Sequence, residues 1–145
     1  MSMMQLLFSF QGRLNRQPYW LTSIAIVVVV MLLVVFAVAT GFDGDLAASA
    51  LVLVLLAIIY IPLIWIGFAL GAKRLHDRNK SAWWLIVFYV LPGILSGIGN
   101  QMGMAGAVLH LASVVISIWG FIELGCLRGT RGPNAYGPDP LTLAP

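Results

Sequence analysis

The chain has 145 residues, 61% of them hydrophobic and only 9% charged, with a formal net charge of +3. A soluble domain carries roughly a quarter charged residues. So much apolar surface cannot be hidden in a small core, which excludes an ordinary water-soluble domain and points to lipid as the solvent. The single cysteine, Cys126, excludes an internal disulfide framework and a cysteine-built zinc site.

Residues 1–17 read as a segment lying in the membrane interface. Leu6, Leu7, Phe8 and Phe10 form an apolar patch, and Arg13, Asn15 and Arg16 follow it. The phenylalanines are expected to point down and the arginines to sit among headgroups. Pro18 suits the first turn of a helix, where its missing N–H costs nothing. Tyr19 and Trp20 sit where an aromatic belt is expected. A first span is predicted over residues 18–40. Ala37-Val38-Ala39 resembles a signal-peptidase site, but the apolar stretch is long and late for a signal sequence.

A polar turn with Asp43 and Asp45 follows, then a second span over 46–72. That span exceeds a hydrocarbon core of ~30 Å and should tilt, bend at Pro62 or protrude. Gly67 and Gly71 form a GxxxG pair that suits close approach of a neighbouring helix. Next comes a dense polar knot, residues 73–80, holding Lys73, Arg74, His76, Asp77, Arg78 and Lys80. Ser81 is placed to cap a third span over 82–98, with Trp83 and Trp84 at its interfacial end and Pro92 inside it. A glycine-rich linker precedes a fourth span over 107–127, and residues 128–145 read as an irregular tail.

Four spans put every lysine and arginine on one side: Arg13 and Arg16, the knot, then Arg128 and Arg131. By the positive-inside rule that side is cytoplasmic, as are both termini. Short connections favour antiparallel neighbours, so the expected fold is an all-α, up-down bundle of four transmembrane helices in a single membrane domain.

This topology brings Arg13, Asn15 and Arg16, the knot residues Arg74, His76, Asp77, Arg78 and Ser81, and the tail residues Arg128, Asn134 and Tyr136 to one surface as a candidate polar cluster. Asp77, one turn from Arg74 and Lys73 on a helical extension, can pair with either or reach Arg13, Arg16 or Arg128. Asn134 and Tyr136 are expected to fold back onto the Arg74–Asp77 turn, with Arg13 or Arg16 completing the cluster. His76 is expected to be exposed at the interface. Glu123, the intramembrane acid, is expected to face inward and pair with Arg74 or Arg128. His76 and His110 fall near opposite faces and cannot share a metal, and no catalytic constellation or cofactor motif is present. The basic residues are too few and too membrane-bound to suggest nucleic-acid binding.

Three blocks carry a resemblance. Phe10-Gln11-Gly12-Arg13-Leu14-Asn15-Arg16 stands with Tyr19-Trp20. Arg74-Leu75-His76-Asp77 is followed by Lys80-Ser81-Ala82-Trp83-Trp84. Gly132 precedes Asn134-Ala135-Tyr136-Gly137-Pro138-Asp139-Pro140. In order and spacing these blocks resemble the YhaH-like inner-membrane family, domain of unknown function 805. The family pattern usually has glycine where Ala82 stands and often a basic or polar residue at Ala135. The resemblance implies a small multi-pass protein of the bacterial cytoplasmic membrane and implies no activity. The function expected from all this is non-enzymatic binding of anionic lipid headgroups or a partner membrane protein through a basic cytoplasmic face, with a homo-oligomer expected. A small oligomeric channel or transporter is the alternative, and a lipid-headgroup enzyme ranks third.

Overall fold

The computed structural model describes residues 2–40 and 46–142. The polar turn expected around Asp43 and Asp45 lies outside the described residues. Helix α1 (Met3–Phe8) is followed by α2 (Arg16–Thr40) and α3 (Leu46–Asp77). A π turn, Ile86–Val90, leads into α4 (Leu91–Gln101). A 3-10 turn, Gly103–Gly106, joins it to α5 (Ala107–Phe121), which ends in a second π turn, Ile122–Cys126. No strand occurs among the described residues, only one bridge between Asn134 and Gly137 in the tail.

Local chemistry accounts for the breaks. Ser2 and Gln5 form a reciprocal capping box at the start of α1. Pro18 sits in the first turn of α2, where no N–H is needed. Pro62 lies inside α3 without interrupting it, and the helix runs on through Lys73, Arg74 and His76. At the end of α3 Asn79 takes a left-handed φ of 56°. Lys80 N–H then bonds Leu75 O, and Asn79 N–H bonds His76 O, both at 2.9 Å. This is the Schellman closure, with asparagine in the place glycine usually fills. The first π turn comes just before Pro92, which cannot donate to the carbonyl four residues back; Leu91 N–H instead reaches five residues back to Ile86 O.

Among the described residues, three helices are long and apolar enough to cross a membrane: Arg16–Ala39, Ser49–Asp77 and Gly103–Cys126. Ile86–Gln101 is a shorter apolar helix. The helices form two hairpins. α2 lies on α3, and α4 lies on α5 with Gly106 set directly against the backbone of Gly99, where no side chain would fit. Between the hairpins, backbones approach closely only at the second π turn and otherwise long side chains bridge. Examples are Phe68 against Tyr89, with ring centroids 5.5 Å apart, and Trp20 against Phe121, 5.6 Å apart. The described helices are therefore two joined hairpins rather than a bundle packed evenly along its length.

The buried core sits at one end. Ala72, Leu75, Leu85, Phe88 and Leu124 form one cluster, and Leu14, Ile66 and Leu70 another. Away from it the spans present Val27, Leu32, Leu51, Ile58, Val108 and Val115 outward, as lipid-facing helices do. Of the GxxxG pair, Gly67 faces open space, whereas a Cβ on Gly71 would lie 2.7 Å from Leu85; only the second glycine serves close packing. Tyr19 and Trp20, expected in an aromatic belt, instead turn toward neighbouring helices. Tyr19 packs against both core clusters, and Trp20 Nε1 donates to Gly125 O at 3.1 Å. The tryptophan pair divides: Trp83 is exposed, while Trp84 packs against Phe88 and Trp119.

Candidate functional site

Four helix ends meet at the polar knot: the start of α2, the end of α3, the residues leading into the first π turn, and the end of the second. A helix leaves its last four carbonyls without intrahelical donors. Here each carbonyl of five consecutive residues is met by a side chain from α2, from the end of α3 or from Arg78 just beyond it. Arg74 Nε donates to Leu124 O at 2.7 Å and its Nη2 to Leu127 O. Trp20 donates to Gly125 O, Arg16 Nη1 to Cys126 O at 3.2 Å, and Arg78 Nη1 to Arg128 O at 2.7 Å. Cationic donors also suit the negative end of the helix dipole.

Asp77 is the hub. Arg13 pairs with its Oδ1 at 3.1 Å, and Arg74 Nη1 holds its Oδ2. Both arginines and the carboxylate are buried. Of the partners open to Asp77, the structure selects Arg74 and Arg13 and passes over Lys73, Arg16 and Arg128. Arg13 is fully employed: Nε donates to Asp77, Nη1 to Gly132 O at 2.7 Å and Gly137 O at 3.2 Å, and Nη2 to Thr130 O at 2.6 Å. The expectation that Arg13 lies among headgroups is thus corrected. Its guanidinium is 1% exposed and ties the N-terminal segment to the tail, because the tail's turn carbonyls supply acceptors that water would otherwise have to supply.

The tail folds over the knot. Thr130 N–H bonds Asp77 O at 2.8 Å, and the threonine hydroxyl donates to the same carbonyl at 3.1 Å. Asn134 Nδ2 donates to His76 O at 2.9 Å. Tyr136 stacks flat on the His76 ring, centroids 4.0 Å apart and planes 5° from parallel. The exposed His76 expected from the sequence is therefore corrected to a half-buried ring between Tyr136 and Gly12 O, 3.2 Å from Nδ1. Asp139 accepts N–H bonds from Gly132 and Leu141, both at 3.0 Å. These bonds, the Leu141 one foremost, with Arg13 and Arg128 nearby, hold its carboxyl below the usual range.

Glu123 faces inward, but its partners differ from the expected Arg74 or Arg128. Its Oε1 is 3.0 Å from Arg78 Nε and 2.9 Å from Lys80 Nζ. Arg74 is already taken by Asp77 and the π-turn carbonyls, and the Arg128 side chain lies past the helix end, exposed. Lys80 also sits 5.4 Å above the Trp84 ring. Ser81 makes no hydrogen bond to the hub, its Oγ accepting from Trp83 N–H at 3.4 Å, but it lines a second cavity together with His76 and Tyr136.

Three contributors escaped sequence reading. Lys73 is fully buried and donates to Gln5 O at 2.9 Å and to Leu6 O, closing the C-terminus of α1. Nothing in its charge separates it from its neighbours in the knot. Thr130 is uncharged, yet it bonds Asp77, Arg13 and Asn134. Gly129 lies so close to the Asp77 carboxylate that a Cβ there would overlap it. Beside this hub a cavity of about 490 Å³ opens between the first turn of α2 and the tail, lined in part by Asn15, Arg16, Trp20, Cys126, Arg128 and Asp139.

A family model described as "Protein of unknown function (DUF805)" matches residues 7–138. The chain is 34% identical over 143 residues to Escherichia coli "Uncharacterized protein YiiR", covering 96% of this chain and 90% of that protein. It is 25% identical over 131 residues to E. coli "Inner membrane protein YhaH", covering 90% and 86%, and 27% identical to "Inner membrane protein YhaI", covering 90% and 85%. No solved structure matches the chain.

Proposed function

Given that the chain belongs to the DUF805 family and is a multi-pass protein of the bacterial inner membrane, we propose that it is a non-enzymatic membrane component that binds anionic lipid headgroups through its polar end. That end faces the cytoplasm in this reading, with four spans and both termini inside. The carrying observation is a division among the cations. Arg13, Lys73 and Arg74 are buried, and Arg78 and Lys80 share Glu123. Arg16, Arg128 and Arg131 are exposed with no carboxylate within ion-pair distance among the described residues. Charges not needed for folding are available to headgroups, each worth about 1 kcal/mol near the surface.

The helix ends support the span number. α5 is part of a full-length candidate span, and α4 runs back along it from the knot. A helix that starts at the same plane where its hairpin partner ends reaches a similar depth. Residues 84–101 rise roughly 27 Å at helical pitch, close to the hydrocarbon thickness. The long apolar flank of α2 leaves room for a second copy or a partner membrane protein.

The test is lipid retention in mild detergent after reconstitution in mixed phosphatidylcholine and phosphatidylglycerol. The wild type retains phosphatidylglycerol preferentially, and the Arg16→Gln, Arg128→Gln, Arg131→Gln triple variant loses the preference. Equal retention by both would remove this reading. A membrane-impermeant maleimide reaching Cys126 from the periplasmic side of spheroplasts would remove the proposed orientation.

A further inference from the structure

We propose that the cavity between α2 and the tail is a seat for a phosphoryl group that also carries a hydrogen-bond donor. This deepens the headgroup reading and rests on it for the bilayer as one source of ligand. At about 490 Å³ the cavity falls in the range of small-molecule sites. Two kinds of group in its wall are left over after folding.

The first kind is cationic. Arg16 gives one N–H to Cys126 O, and the Arg128 side chain makes no hydrogen bond or close ion pair among the described residues, though it lies near Asp139. Guanidinium forks match phosphate oxygens in shape and charge. The second kind is an acceptor. Asn15 lines the cavity, and its Oδ1, turned in from solvent, receives no hydrogen bond, an uncommon state for a buried polar atom; rotation of the amide presents it to a donor in the cavity. A bare oxyanion would satisfy the arginines and leave Asn15 without a donor. A phosphoryl group bearing a hydroxyl or an ammonium satisfies both.

The carboxylates in the wall do not oppose this. Asp77 has one oxygen on Arg13 and the other on Arg74. Asp139 takes two backbone N–H groups and can accept a further donor from the same ligand. The chemistry has two sources: a glycerol- or ethanolamine-bearing lipid headgroup, or free phosphate, which is protonated in part at neutral pH.

Cys126 lines the cavity and is the only thiol in the chain, so its alkylation reports occupancy. N-ethylmaleimide rates are compared in nanodiscs of phosphatidylcholine alone, with phosphatidylglycerol, with phosphatidylethanolamine, and in phosphatidylcholine discs with inorganic phosphate added. Several-fold slowing by either donor-bearing lipid assigns the seat to a headgroup; slowing by inorganic phosphate alone assigns it to free phosphate. Either protection is lost in Arg16→Gln/Arg128→Gln, and the preference for donor-bearing lipid over phosphatidylcholine is lost in Asn15→Ala. Leu141→Trp fills the exposed rim and removes protection without touching the arginines, which keeps the test open if an arginine variant fails to fold. Equal rates in all four conditions, or protection that survives both the arginine pair and Leu141→Trp, overturn the seat. If lipid retention shows no preference while phosphate still protects Cys126, the broader reading fails and the seat stands.

Discussion

Two arginine-rich regions lie side by side at the polar end, the Asp77 hub and the cavity next to it. In the hub, Arg13 and Arg74 spend their donors on one carboxylate and on backbone carbonyls from the tail and the second π turn. In the cavity, Arg16 and Arg128 stand exposed, with one bond between them to the protein. The residue type is the same and the environment is opposite. A buried guanidinium must be fully partnered, because its desolvation is costly; an exposed one is held by solvent. Charge at a membrane face therefore does not by itself signal a binding surface, since some of it is helix capping carried out by another helix.

Breaking the hub should give the largest effect. Asp77→Asn leaves two buried arginines without their counter-charge, and removal of one partner from such a pair costs about 3–5 kcal/mol. Loss of folded protein in detergent, or a large drop in its unfolding midpoint, is expected. Gly129→Ala comes next: its methyl would occupy space held by the Asp77 carboxylate, with an overpacking cost of about 1–3 kcal/mol. The tail should then become accessible to protease while the spans remain folded.

The stacked pair at the tail's edge is worth less. Tyr136→Ala removes the ring over His76, an aromatic contact worth about 0.5–1.5 kcal/mol beyond its buried area. Tyr136→Phe keeps the stack and should match the wild type in thermal unfolding. Smallest is the acid response of the tail. The Asp139 carboxyl lies below its ordinary range in the folded state, so its contribution is fully present above the usual carboxylate pKa of about 3.9. That contribution fades only as pH falls through the lower folded value. Protease sensitivity of the tail should therefore be flat through mild acid and rise below it, and Asp139→Asn should abolish the Asp139-dependent part of that rise.

The helical membrane class was legible because apolar runs of span length admit few other readings. The end of the second span was legible only as a polar knot; the helix runs on to Asp77, and the closure at Asn79, which tolerates the left-handed backbone, was not read from the sequence. Arg13 stayed open between headgroups and Asp77 because an arginine after an apolar patch has the same sequence signature whether it meets headgroups or a buried carboxylate. Only the tail's carbonyls distinguish the two, and backbone acceptors carry no residue code. The same reason hides Lys73, whose partners are the carbonyls of α1. Glu123 was read correctly as inward-facing but given the wrong partners, since Arg74 was already committed elsewhere. Gly129 and Thr130 look like ordinary tail residues until Asp77 is set beside them. Pro92 hinted at an irregularity in its helix, whereas the second π turn had no such marker.

The most direct test is one unfolding series in a single detergent on Arg13→Gln, Arg74→Gln, Arg16→Gln and Arg128→Gln. The first two should lose several kcal/mol, as buried pairs do when one partner is removed, and the last two about 1 kcal/mol or less, as exposed charges do. Four similar losses, or a larger loss at Arg16 or Arg128 than at Arg13 or Arg74, would contradict the division between a locked hub and an open cavity.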